Sequence, residues 1–255
     1  MARLDAHQHF WRYSPKTHGW INDAMAVIRR DFLPEDLEPL LKKRGYAGCV
    51  AVQAEQNVKE TGWLLDLADK HPFIKGVVGW VDLRSPDVAS VLAPLAKRKK
   101  LRGIRHIVQG EPDDFMRRPD FQRGIAALAL VEKFPKQPFV IDHLAKPDIK
   151  HALREPWTAD MRALAKHLNV CCKVSGMVTE ADYKTWTPAQ LKPYLDVVFE
   201  AFGPERLMIG SDWPVCLVAA DYDRTMSVVE EYVARLPAKA QEAVLGGTAA
   251  KFYGI

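Results

Sequence analysis

His7 and His9, one residue apart and preceded by Asp5, are the first residues in this chain whose types and spacing could do chemistry. Alternate side chains share a face along a strand. On a strand, Asp5 would lie beneath His7 and His9, and two imidazoles would converge at its end. Imidazole is the commonest metal ligand and the usual general acid or base near neutral pH. A lone His-x-His also occurs as satisfied or solvated histidines, so the pair needs partners. His143 ends one later apolar run and Asp212 follows another. Two histidines from a first strand, one from a middle strand and an aspartate from the last make a mononuclear metal or acid/base constellation. The aspartate can orient or deprotonate water while the imidazoles bind a cation or polarise a carbonyl.

These residues need a scaffold that brings distant strand ends together. Short Val, Ile and Gly-rich runs recur, separated by amphipathic helical stretches, which is the signature of repeated βα units around a parallel sheet. Strands are expected at about 3–9, 48–54, 75–82, 102–108, 138–143, 169–175 and 206–211. A long polar and aromatic loop, 11–30, follows the first strand, and loops of that length are often lids. Helices are expected from Pro34 to Gly45, from Glu55 to His71, over 87–99, 158–167 and 188–202, and as closing helices over 223–236 and 238–253.

Strands buried on both faces are nearly all apolar, so polar residues at their carboxyl ends stand out. Glu55, Trp80, Arg105, His106 and Lys173 occupy such positions and are assigned to the substrate. In barrels of this type the active site lies at the strands' carboxyl ends. Other readings stand beside these. His143 could bond a backbone carbonyl, Asp212 could cap a helix, Lys173 could snorkel to the rim, and Arg105 could pair with Glu55 or Asp82. His18, His71, His151 and His167 read as surface residues.

With 255 residues and 48% hydrophobic positions, the chain can bury a large core without metal or disulfides, and one domain spanning 1–255 is expected. Cys49, Cys171, Cys172 and Cys216 follow no C-x-x-C pattern and read as reduced and structural. The chain opens on a charged, His-bearing segment, and no long apolar run is present. A soluble cytoplasmic protein without membrane contact is therefore expected. A net charge of +4 with interleaved acids and bases is not the footprint of a nucleic-acid binder. The run Lys97-Arg98-Lys99-Lys100 falls where a helix ends, where cations complement the helix dipole.

Taken together, several motifs carry a resemblance. They are Asp5-Ala6-His7-Gln8-His9-Phe10-Trp11 with Trp20-Ile21, Val52-Gln53-Ala54, Gly79-Trp80-Val81-Asp82, Gly103-Ile104-Arg105-His106, Asp142-His143-Leu144-Ala145-Lys146-Pro147, Lys173-Val174-Ser175-Gly176, Gly210-Ser211-Asp212-Trp213-Pro214 and Gly247-Thr248-Ala249-Ala250-Lys251-Phe252-Tyr253. On these the chain resembles, end to end, the amidohydrolase superfamily, in the branch of TIM-barrel metal-dependent hydrolases that includes L-fuconolactonases and other sugar lactonases.

The resemblance implies an α/β fold of the TIM (β/α)8 type and hydrolysis of a sugar lactone to the aldonic acid. It places His7, His9, His143 and Asp212 at a metal site, with Asp212 activating water and His143 beside it in catalysis. Arg105 and Lys173 would hold the lactone or its developing charge. The implied cofactor is a divalent metal, zinc, although related members differ in needing one. The implied partner is a small-molecule sugar lactone, and a homo-oligomer is left open.

One departure stands out. The resemblance calls for an eighth strand around residues 126–133, yet Ile125 to Phe134 reads as one helix. A βα unit of roughly twenty or more residues is missing, either passed over between two helices or truly absent. A decarboxylase or another hydrolase on the same barrel, or a non-catalytic sugar-acid binding protein, are the alternative functions.

Overall fold

A computed structural model describes the backbone of residues 2–130 and 137–255, and side chains except those of 126–130. Its elements alternate as the sequence predicts: β1 (Arg3–Gln8), α1 (Pro34–Lys43), β2 (Tyr46–Val52), α2 (Val58–Lys70), β3 (Ile74–Gly79), α3 (Val88–Ala96), β4 (Leu101–Ile104), α4 (Pro119–Leu130), β5 (Phe139–Ile141), α5 (Trp157–Ala165), β6 (Val170–Val174), α6 (Met177–Glu180), α7 (Pro188–Phe202), β7 (Leu207–Ile209), α8 (Tyr222–Val233), α9 (Ala238–Glu242) and α10 (Thr248–Tyr253). Pro34 and Pro188 start their helices where a missing N–H costs nothing.

The strands pair in parallel as β1-β2-β3-β4 and β5-β6-β7. Beyond the end of β7 the two sheets meet. Asp212 N–H donates to the His7 carbonyl at 2.8 Å, His9 N–H to the Trp213 carbonyl at 2.7 Å, and Gln8 and Trp213 form a parallel bridge. The strand order is therefore β5-β6-β7-β1-β2-β3-β4. Among the described residues, only β4 and β5 lack a partner on one side, and they flank the stretch where the eighth strand was expected. The helix expected over 125–134 is α4 as far as Leu130. The remainder of that stretch, including continuity to Lys133, lies outside the described residues.

Several expectations need correction. All seven strands are present but stop early, and the fifth ends at Ile141 rather than 143. His143, Leu144, Ala145 and Lys146 adopt left-handed backbone, with φ of 54, 51, 56 and 52°, which no strand can continue. The closing helix over 238–253 is broken into α9, a wide turn at 243–247 and α10, where the chain packs against β1 and β7. Asp5 does not lie beneath the imidazoles. An extra residue in β1 between Asp5 and Gln8, relative to β2, breaks the alternation. Asp5 instead accepts from Ser211 N–H at 2.9 Å, His7 N–H at 3.2 Å and the Tyr222 hydroxyl at 3.1 Å, clamping β1 to the segment after β7.

A large core lies between strands and helices. A smaller one, of Leu4, Ala6, Val50, Val52, Val78 and Met208, is closed by Ala249 and Tyr253 of α10. Loop 11–30 contributes Trp11, Ile21, Met25 and Ile28 to the large core, and Trp11 and Phe32 exchange backbone hydrogen bonds. In the basic run, Arg98 donates to Asp66 and Asp69, and Lys100 Nζ donates to the Ile74 carbonyl. Among the described residues, no helix is long and apolar enough to cross a membrane.

Candidate active site

His7 and His9 at the end of β1, His143 just after β5 and Asp212 just after β7 come together in the interior. Asp212 Oδ1 lies 3.3 Å from His9 Nε2, 3.7 Å from His143 Nε2 and 4.0 Å from His7 Nε2. Three imidazoles, from residues spread over more than a hundred positions, thus aim at one carboxylate. The capping alternative for Asp212 is not what the chain adopts, since the short helical turn at Val215–Val218 has no side-chain cap.

The imidazoles are oriented from behind. His9 Nδ1 sits 2.9 Å from the Val52 carbonyl, an acceptor only, so Nδ1 carries a proton and, in the neutral ring, Nε2 is the lone-pair nitrogen. His143 Nδ1 is 2.9 Å from Ser175 Oγ. His7 Nε2 faces His9 Nε2 at 3.1 Å and Arg105 Nη1 at 3.3 Å. Burial pushes His7 well below its ordinary pKa and His143 down to about 4, so both are neutral at pH 7. Burial alone would raise Asp212, but His143, His9 and His7 outweigh it and hold the carboxyl well below its usual range.

This donor chemistry suits a divalent cation. His7, His9 and Asp212 are buried and place their ligand atoms within 4.8 Å of one another. His143 stands outside that set and reaches it through Asp212. Neutral imidazoles and one carboxylate are the donor types of hydrolytic zinc centres.

The residues assigned to the substrate divide. Arg105 reaches the cluster through His7, and its ion pair runs to Asp142, Nε to Oδ2 at 3.3 Å, rather than to Glu55 or Asp82. Lys173 neither snorkels nor lines the mouth. It is 1% exposed, with Nζ 3.0 Å from Asp142 Oδ1 and 3.2 Å from His7 Nδ1. His106 bonds Glu111 at 3.1 Å and stacks on Phe115. Glu55 lines a cavity of about 260 Å³ with Trp11, Arg12, Asn57 and Trp63. The Trp80 backbone is tied to Thr61, while its indole N–H is buried without a partner among the described residues.

Two residues were misjudged from sequence. His18 is fully buried rather than superficial, because loop 11–30 folds onto Trp11, Tyr13 and Trp20 around it. Asp142 is not among the residues the sequence assigns to the site, and on a continued strand it would face away from His143. The strand stops before it, and the left-handed turn at His143 lets both residues serve one site. The adjacent pair of ionisable residues was the available signal.

Parallel strands with interleaved helices and a buried His-His-Asp cluster at the strands' carboxyl ends are the arrangement of α/β hydrolases whose strand-end site can hold a metal. The amidohydrolase family model matches residues 4–255, and the chain belongs to that family. It is 40% identical to an L-fucono-1,5-lactonase of Burkholderia multivorans over 285 aligned positions, covering 99% of this chain and 96% of the relative. An L-fucono-1,5-lactonase of Burkholderia ambifaria is 38% identical, again over 99% of this chain and 96% of the relative. The crystal structure of a Burkholderia multivorans amidohydrolase with bound zinc superposes with a TM-score of 0.94 at 40% identity, covering 100% of both chains. An alignment of 285 positions against 255 residues leaves at least 30 positions with no counterpart here. That is about one βα unit of a barrel.

Proposed function

We propose that this protein hydrolyses the ring ester of a sugar lactone, L-fucono-1,5-lactone or a close analogue, to the aldonic acid. The observation that carries this reading is the convergence of His7, His9 and His143 on Asp212, in a chain about 40% identical to L-fucono-1,5-lactonases. Asp212, ionised at neutral pH, accepts a hydrogen bond from water and aims it at the lactone carbonyl. A zinc ion held by His7, His9 and Asp212 would polarise that carbonyl and acidify the water. Arg105 supplies a fixed positive charge for the oxygen that becomes negative as water adds. His143, held by Ser175, positions Asp212, which takes the proton water loses as its oxygen bonds the carbonyl carbon and returns it to the ring oxygen as the ester bond breaks. Glu55, Trp80 and His106 contact the lactone's ring and hydroxyls. Lys173 acts from beneath, through Asp142 and His7. The free thiols of all four cysteines accord with work in the cytoplasm.

The test is release of acid from L-fucono-1,5-lactone by the wild-type chain and by Asp212→Asn. Turnover that falls about a hundredfold or more in a folded variant supports the reading. Absence of wild-type turnover across a panel of aldonolactones overturns it.

A further inference from the structure

Behind the imidazoles lies a three-membered contact that the proposed hydrolysis does not use directly. Asp142 Oδ1, His7 Nδ1 and Lys173 Nζ form a triangle, with Asp142 3.4 Å from His7 and 3.0 Å from Lys173, and Lys173 3.2 Å from His7. Lys173 carries protons only to give, and an ionised carboxylate only accepts. Asp142 Oδ1 is buried and has no aligned hydrogen bond among the described residues, although two proton carriers stand beside it.

The three histidines are not equally provided for. His9 and His143 each have Nδ1 held by a partner outside the cluster, the Val52 carbonyl and Ser175 Oγ. A neutral imidazole at His7 has one proton for two ring nitrogens. If that proton sits on Nε2, it points at His9 Nε2 while the donor-only Arg105 Nη1 lies 3.3 Å from the same nitrogen, and Lys173 donates to Nδ1. If it sits on Nδ1, the Nε2 lone pair joins that of His9, and Nδ1 needs an acceptor. Lys173 cannot be that acceptor. Asp142 is the acceptor within reach.

We propose that Asp142 is the positioning residue that holds His7 in the Nδ1–H tautomer, so that His7 offers Nε2 to a divalent cation together with His9 and Asp212. Lys173 and Arg105 flank Asp142 and fix its carboxylate for this task, from 3.0 Å and 3.3 Å on its two oxygens. The exchange moves no net proton: Nε2 loses one as Nδ1 gains one. This inference rests on reading the cluster as a metal site, and it is independent of which lactone is cleaved. Outer-shell carboxylates on ligating histidines commonly contribute ten- to hundredfold in metal affinity.

The experiment is zinc titration of the full chain by calorimetry against a competing chelator, with imidazole ¹⁵N shifts recorded on the same samples and no lactone present. Expected are a protonated Nδ1 on His7 in the zinc-loaded wild type and zinc affinity at least tenfold lower in Asp142→Ala. In that variant the His7 proton is expected to rest on Nε2 before zinc is added, with Lys173 donating to Nδ1. Asp142→Asn retains the volume and is expected to fall between the two. Zinc bound through Nδ1 of His7 in the wild type would overturn the proposal even if neither variant folds. So would unchanged zinc affinity in a folded Asp142→Ala. Failure of lactone turnover alongside the expected zinc results would count against the hydrolysis reading alone.

Discussion

Arg105 Nε and Asp142 Oδ2, 3.3 Å apart, join the ends of β4 and β5, the two strands that do not pair with each other. Elsewhere around the sheet, neighbouring strands are held by backbone hydrogen bonds. Here the described residues offer a side-chain ion pair, 18% and 21% exposed, at the mouth. Removing one member of a partly buried pair leaves the other charge uncompensated. Arg105→Met should therefore lower unfolding free energy by about 2–3 kcal/mol, and Arg105→Lys by less. Chemical denaturation measures both; equal stability for wild type and Arg105→Met would show that the pair does not clasp the strands.

The same gap makes a prediction about chain length. Unpaired edge strands are costly in a closed architecture and invite association with other chains. Inserting a designed βα unit between α4 and β5 should raise the thermal midpoint by about 5 °C or more. Calorimetry on the insertion variant decides this. An unchanged or lower midpoint would mean that the present chain already covers its edges.

Two glycines make room for the histidines. A Cβ at Gly210 would lie 2.7 Å from His7 Cβ, and one at Gly176, where φ is +66°, would lie 2.6 Å from His143 Nδ1. Neither distance is tolerable, so the imidazoles must move. Gly210→Ala and Gly176→Ala should each cost about 1–3 kcal/mol and reduce lactone turnover at least tenfold. Steady-state kinetics beside thermal melts would test this, and full activity in either variant would show that the imidazoles can yield without loss.

Glu60 supplies the pH dependence. Its carboxyl accepts the backbone N–H groups of Ala54 and Glu55, yet burial pushes its pKa up to about 8 from the usual 4.5. The folded chain holds this proton more tightly than the unfolded chain does. The contribution of Glu60 is most favourable below pH 4.5, declines as pH rises and levels off above about pH 8. The difference is on the order of a few kcal/mol. Glu60→Gln should remove this downward slope while costing stability at acidic pH, because its amide faces a backbone donor. Unfolding free energies measured across that range, with parallel curves for the two proteins, would refute it.

The alternation of strands and helices, and the polar residues at strand ends, were legible because periodicity and burial act locally. Seven strands stand where the apolar runs placed them, and α7 spans Pro188–Phe202 as its start and stop signals predict. His7, His9, His143 and Asp212 were legible too, as polar residues in places where a buried strand should have none. Tertiary structure decided which neighbours those residues serve. The bulge in β1 turned Asp5 to Ser211 and Tyr222, the left-handed turn after β5 brought Asp142 to His7, and burial drew Lys173 inward. Such outcomes depend on register, backbone handedness and distant partners competing for the same protons. None is encoded in the spacing of one segment, since each requires two parts of the chain to meet.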